Sequence, residues 1–488
     1  VATQIFRVLV ISVLVVAMSF VLIHRTPASA GGRFQEDLTD GAERSAEGSY
    51  VYEHSGGAVR CRPANVAEVR FLSDYNEDLP LQEISDEGLA LQAGAIDIVL
   101  RGTPQLDNFP QAKAAFIKAA DAVETRIQAS QPISVVIDVD FGETFFGQPY
   151  PGDRVVGLAR GQLLGLEYPA FRTALIGSAA TANELGLYQS LPQGSVPTDI
   201  GNTSRVFVQT PVLRSLGLIS PIADPNGELG QFGPPPAIGF NSRFAFDFNQ
   251  DDGISRDLVD YVAVAIHEIL HALGFGSLVG RRELDPSTTL AVTPLDLCRF
   301  RPGAVTEARA ELASFTDAQR ILRSGGNQVF FAGGAELPLS TGRPDGSGGD
   351  GFQASHWQDN TLAGRTIGIM DPQTSPGELG VITDSDLKAM DVIGYGLGAA
   401  GGDPGGPVIN SANYNGAALI VKATGVSGDL QLLVNDSVVA PPRKIKIKGG
   451  GAKLKIPGTP EQLNLRNGAN LVQLVRDGVR SNVFVMSL

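Results

Sequence analysis

Tyr261-Val262-Ala263-Val264-Ala265-Ile266-His267-Glu268-Ile269-Leu270-His271-Ala272-Leu273-Gly274 is an apolar run without a breaker, interrupted by two histidines and a glutamate and closed by a glycine. It reads as a buried helix that ends at Gly274. Positions i and i+4 of a helix share a face, so His267 and His271 can aim at one metal ion. Glu268 then stands beside the metal as a general base rather than as a ligand.

A hydrolytic zinc needs three protein ligands and one open position for water. Few histidines are available to complete the set, since the chain has only five. His54 lies in a polar amino-terminal stretch and reads as a surface residue. His356, in Ala354-Ser355-His356-Trp357, follows a glycine-rich segment able to turn the chain back towards the helix. It is the candidate third ligand. The competing readings are a core histidine packed by Trp357 and a carboxylate ligand from Glu283 or Asp285.

These residues resemble the metzincin pattern His-Glu-x-x-His-x-x-Gly-x-x-His, which the chain follows from His267 through Gly274 and leaves at Ser277. The leishmanolysin-like branch of that clan inserts a long segment after the glycine and supplies its third histidine later. Ser355-His356-Trp357 is similar to that arrangement. The resemblance also implies a methionine turn beneath the metal, for which Ile367-Gly368-Ile369-Met370-Asp371-Pro372 provides Met370. Pro372 stands where some relatives have a metal-binding tyrosine, so no such ligand is expected. The resemblance covers about residues 238–395 and implies an α+β peptidase domain with a mixed sheet and an active-site helix.

Around this region, Arg7, an apolar run over residues 8–23 and Ala28-Ser29-Ala30 describe a secretory signal over residues 1–30. The apolar run is short for a membrane span of ~20 residues. Residues 31–100 read as a leader or propeptide, its first half (31–65) polar and without periodicity. Residues 101–397 read as the peptidase domain, with a helix over 112–127, a strand over 132–140 and a strand at 237–241 whose edge could take a substrate backbone. Helices are expected over 317–322 and 383–393. Asp247-Phe248-Asn249-Gln250-Asp251-Asp252-Gly253 alternates oxygen ligands as a calcium loop does, but its glycine falls one place late. We read it as a polar turn, with Ca2+ as the alternative. Residues 398–406 are a Gly-rich linker, and 407–488 carry short strands that suggest an all-β sandwich of immunoglobulin type.

Cys61 and Cys298 are the two cysteines. In a secreted chain an even pair suggests one disulfide. The alternative is that Cys61 caps a zinc in a latent precursor. The net charge of −14 argues against nucleic acid or an anionic membrane as a general partner. The expectation is a secreted zinc endopeptidase acting on proteins or peptides, without stable membrane insertion after signal removal. Glu268 would be general base, His267, His271 and His356 the Zn2+ ligands. The alternatives are a thermolysin-like peptidase with a carboxylate ligand and a non-catalytic adhesion protein on a protease fold. The partner of the carboxy-terminal unit is not legible.

Overall fold

The computed structural model describes residues 44–45, 48–55, 57–74, 79–85, 96–179, 182–305, 312–332, 335–345, 347–397 and most of 407–488. The expected signal (1–30) and linker (398–406) lie outside the described residues.

The chain is α+β, with one large mixed sheet and several small ones. The large sheet contains β1 (Tyr50–Ser55), β2 (Ala58–Pro63), β3 (Gln82–Glu83), β4 (Ile96–Gly102), β5 (Ile133–Gly142), β6 (Val155–Arg160), β7 (Ala237–Asn241) and β8 (Gln373–Thr374). Their spatial order is β8-β2-β1-β6-β7-β5-β4-β3. Parallel pairs join β4 to β5 and β5 to β7, with Ile98 opposite Val135 and Val139 opposite Ile238. From β7 through β6, β1 and β2 to β8 the pairing is antiparallel. At the centre β5 is rich in β-branched residues and buried at every position, as a strand covered on both faces must be.

Four helices matter for the site: α1 (Val66–Ser73), α2 (Pro110–Glu124), α3 (Tyr261–Ala272) and α4 (Asp384–Val392). The buried stripe of α2, Ala112, Ala115, Phe116, Ala119, Ala120 and Val123, recurs at helical spacing. Its Phe116 meets Tyr261 of α3 edge-on at 5.3 Å, and Phe141 of β5 meets Tyr261 at 5.4 Å. Helix α3 is buried along its whole length. Each of its buried Val, Ile and Leu side chains contributes about 1.5–3 kcal/mol, which is ample to hold a helix carrying three ionisable groups.

Both ends of α3 are fixed. Asp260 caps the start, accepting from Ala263 N–H at 3.0 Å, while Gln250 Nε2 and Gly380 N–H donate to its other oxygen. The 247–253 loop therefore serves α3 through Gln250. At the far end Gly274 has φ +122, and a Cβ there would lie 2.7 Å from Val212 Cγ2. Only glycine suits both the backbone and the space.

Four expectations change. Residues 50–55 and 58–63, inside the stretch expected to lack regular structure, form the hairpin β1–β2 within the large sheet. Strand β4 begins at Ile96 and buries Ile98 and Leu100, so the core sheet reaches into the segment read as leader. The strand at 237–241 exists but is paired on both sides, by β6 and β5, so it offers no free edge. The helix expected over 317–322 lies earlier, at Leu312–Asp317. After it Arg320 N–H donates to Pro197 O, and the fully buried guanidinium packs over Phe300 and Phe315. Those contacts need an extended backbone at 320.

The carboxy-terminal unit has its own core of residues such as Leu419, Val421, Leu432, Val434, Leu454 and Leu474. Two antiparallel sheets enclose it. One holds β9 (Val408–Tyr414), β10 (Ala418–Thr424), β13 (Lys444–Lys448) and β14 (Gly451–Pro457). The other holds β11 (Leu430–Val434), β12 (Ser437–Val439), β15 (Ala469–Arg476), β16 (Val479–Arg480) and β17 (Phe484–Ser487). Among the described residues no helix is long and apolar enough to cross a membrane.

Candidate metal centre

Helix α3 places His267 and His271 one turn apart with their Nε2 atoms 3.0 Å from each other. The loop after Gln353 brings His356 Nε2 to 3.2 Å from the first and 3.3 Å from the second. All three rings are buried. Each Nδ1 meets a backbone carbonyl: His267 that of Ile369 at 2.8 Å, His271 that of Phe275 at 2.6 Å and His356 that of Gln353 at 3.0 Å. A carbonyl only accepts, so each Nδ1 carries the proton and each Nε2 presents a lone pair. Burial favours the neutral rings, pushing His267 down to about 4 and the other two well below the usual range. Three lone pairs converging at this spacing repel one another unless a cation lies between them. The donor set fits a divalent metal.

A fourth donor comes from the hairpin. Cys61 of β2 has its Sγ 4.0 Å from His271 Nε2 and 3.9 Å from Glu268 Oε1. The ligand atoms of Cys61, His267, His271 and His356 all lie within 4.8 Å of one another. Register explains the placement: Cys61 N–H donates to Pro372 O, and Cys61 sits opposite Tyr52 on β1. Tyr50 stacks on the His271 ring at 3.9 Å, and Tyr52 meets His267 edge-on at 5.6 Å.

The expected disulfide does not form. Cys61 and Cys298 are both free, Cys61 held at the histidine cluster and Cys298 buried elsewhere in the core near Arg320, where burial pushes its thiol up to about 12. Glu268 is buried beside the cluster, its Oε2 without a partner and its carboxyl pushed up to about 8 by burial. The competing carboxylates are engaged outside the cluster. Glu283 binds Ser324 and Arg343, and Asp285 closes a turn onto Ser287.

Met370 is buried, and its segment touches both histidine-bearing elements, helix α3 and the loop that carries His356. The carbonyl of Ile369 holds His267, and the carbonyl of Met370 accepts from Trp357 N–H at 2.9 Å. The structure thus brings together His267, Glu268, His271 and His356, with the backbone of the Ile369–Met370 segment against them.

It also reveals a clasp the sequence does not announce. Asp296 accepts from Ser277 Oγ and Leu278 N–H, and it pairs with the fully buried Arg299 at 3.2 Å. Arg299 donates in turn to the carbonyls of Ser340 and Ala354. One ion pair therefore joins the start of the segment after Gly274 to the residue two places before His356. The only sequence signal was a charged pair three residues apart in an apolar context, Leu295-Asp296-Leu297-Cys298-Arg299-Phe300.

Comparisons with protein-family models, with curated proteins and with solved structures find no match to this chain.

Proposed function

We propose that this chain is a zinc-dependent endopeptidase of metzincin type, with a leishmanolysin-like ligand set, held here in a latent form. The observation that carries the reading is the convergence of three Nε2 lone pairs at 3.0–3.3 Å with Glu268 beside them. An all-imidazole set completed by a thiol suits zinc better than the oxygen-preferring cations. When bound there, zinc would lower the pKa of a coordinated water towards ~7 and polarise a peptide carbonyl.

The chain's own residues supply the rest. His267, His271 and His356 hold the metal, each oriented by the carbonyl on its Nδ1. Glu268 takes a proton from the attacking water and returns it to the leaving amine.

Latency rests on the hairpin β1–β2. Its Cys61 thiolate would be the fourth ligand, taking the position that water needs, and Tyr50 covers the His271 ring. Strand β1 pairs antiparallel with β6, so its departure would free the β6 edge. An extended peptide substrate could then add to that edge in the same antiparallel sense. In this reading residues 1–30 direct secretion, and 407–488 form an immunoglobulin-type accessory unit.

The test is zinc content and casein hydrolysis after the hairpin is removed. Glu268→Ala is expected to keep one zinc per chain and lose at least ~100-fold in hydrolysis. A Glu268→Ala protein that cuts casein like the wild type would defeat the assignment.

A further inference from the structure

Asp386, the third residue of α4, contacts none of the expected ligands, yet its carboxylate gathers the structures that hold two of them. Oδ1 accepts from Trp357 Nε1 at 2.7 Å and from Met370 N–H at 3.4 Å. Oδ2 accepts from Ile369 N–H at 2.9 Å, Thr383 N–H at 2.7 Å and Thr383 Oγ1 at 2.9 Å. Trp357 directly follows His356 in the chain. Ile369 is the residue whose carbonyl receives the Nδ1 proton of His267. Asp386 and Trp357 are both fully buried, so no water competes for these bonds.

The local sequence is shaped to admit this carboxylate. A Cβ on Gly368 would lie 2.2 Å from Asp386 Oδ1 and 2.6 Å from Oδ2. Glycine at 368 leaves the room in which Asp386 reaches the turn. We propose that Asp386 is a positioning residue of the metal centre, setting His267 through the Ile369 peptide and His356 through Trp357 at once. This rests on the zinc reading above. The simpler role is helix capping, since Thr383 and Asp386 form a capping box for α4. Capping accounts for the bonds to Thr383. It does not account for those to Trp357, Ile369 and Met370.

The two roles separate in one experiment on the full chain. Zinc affinity is measured by competition with a chelator, thermal unfolding is followed alongside, and Trp357, the single tryptophan, reports its own surroundings by emission. Asp386→Asn puts an amide donor against peptide N–H groups, whereas Thr383→Ala removes the cap and the Oγ1 bond to Ile367 O and leaves the Asp386 bonds to Trp357, Ile369 and Met370 in place. The expected result is zinc affinity weaker by ~10–100-fold and altered Trp357 emission in Asp386→Asn. Thr383→Ala is expected to unfold earlier with zinc affinity and emission unchanged. Equal zinc affinity in Asp386→Asn and wild type overturns the proposal, as does an equal loss in Thr383→Ala. Should Asp386→Asn fail to fold, Trp357→Phe removes the Nε1–H donor together with part of the buried ring that packs on Phe275 and Phe330. It is expected to weaken zinc several-fold, and wild-type affinity there overturns the proposal. A wild type that binds no zinc sinks the metal reading itself, which is a different failure.

Discussion

Ser277 N–H donates to Ser355 Oγ at 2.8 Å, linking two positions 78 apart in the chain. Ser277 occupies the place where the metzincin pattern would put its third histidine, and Ser355 immediately precedes His356. The bond ties the backbone just beyond helix α3 to the loop that carries His356.

The Asp296–Arg299 clasp holds the same loop from behind. Arg299→Met leaves Asp296 buried without its cation, a change that costs about 3–5 kcal/mol. It also frees the carbonyls of Ser340 and Ala354. A marked fall in melting temperature with weakened zinc binding is expected. Unchanged unfolding in Arg299→Met would show that the clasp is dispensable.

Cys61 is one of several contacts through which the hairpin closes the site. Strand β1 stays paired to β6 and Tyr50 stays stacked on His271 when the thiol is lost. Cys61→Ser in the full chain is therefore expected to raise casein hydrolysis only part of the way to that of the hairpin-free protein. Hydrolysis rates of the two proteins side by side decide it, and full activity in Cys61→Ser would mean that the thiol alone imposes latency.

A half-buried acid pair sets a pH dependence away from the histidine cluster. Burial, reinforced by a hydrogen bond with Glu184, pushes the Asp391 carboxyl up to about 8. The folded chain thus favours the protonated acid. That contribution is full below the ordinary carboxylate value of ~4 and is lost as pH rises through about 8. Wild-type melting temperature is expected to fall between pH 5 and pH 9 more steeply than that of Asp391→Asn, the difference being on the order of a few kcal/mol. Parallel curves would rule the pair out.

The space at Gly368 gives a second, steric route to the same centre. Gly368→Ala drives a methyl into the Asp386 carboxylate. It is expected to reproduce the zinc-affinity loss of Asp386→Asn without changing any charge. Chelator competition measures it, and an unaffected Kd would mean that the Asp386 carboxylate can move without consequence.

What the sequence disclosed follows from how local each signal is. The apolar flank of His267 and His271, the capping pair Thr383 and Asp386, and the strands of the carboxy-terminal unit are encoded by neighbours, and the structure forms them. The hairpin β1–β2 was also locally encoded, since Tyr50-Val51-Tyr52 and Ala58-Val59 flank Gly56-Gly57, a two-residue turn signal. The polar composition of the wider window obscured it. Burial of β7 between two strands, the seat of Cys61 beside His271, and the reach of Arg299 and Asp386 depend on residues far away in the chain. No periodicity reports such contacts.

The most direct test of the account is X-ray absorption at the zinc edge of the full-length chain, before and after the hairpin is removed. Three imidazole nitrogens and one sulfur are expected before, and the sulfur should be replaced by a light-atom ligand afterwards. A centre with no sulfur in the full chain, or with fewer than three imidazoles in both states, would contradict a zinc site built from His267, His271 and His356 and capped by Cys61.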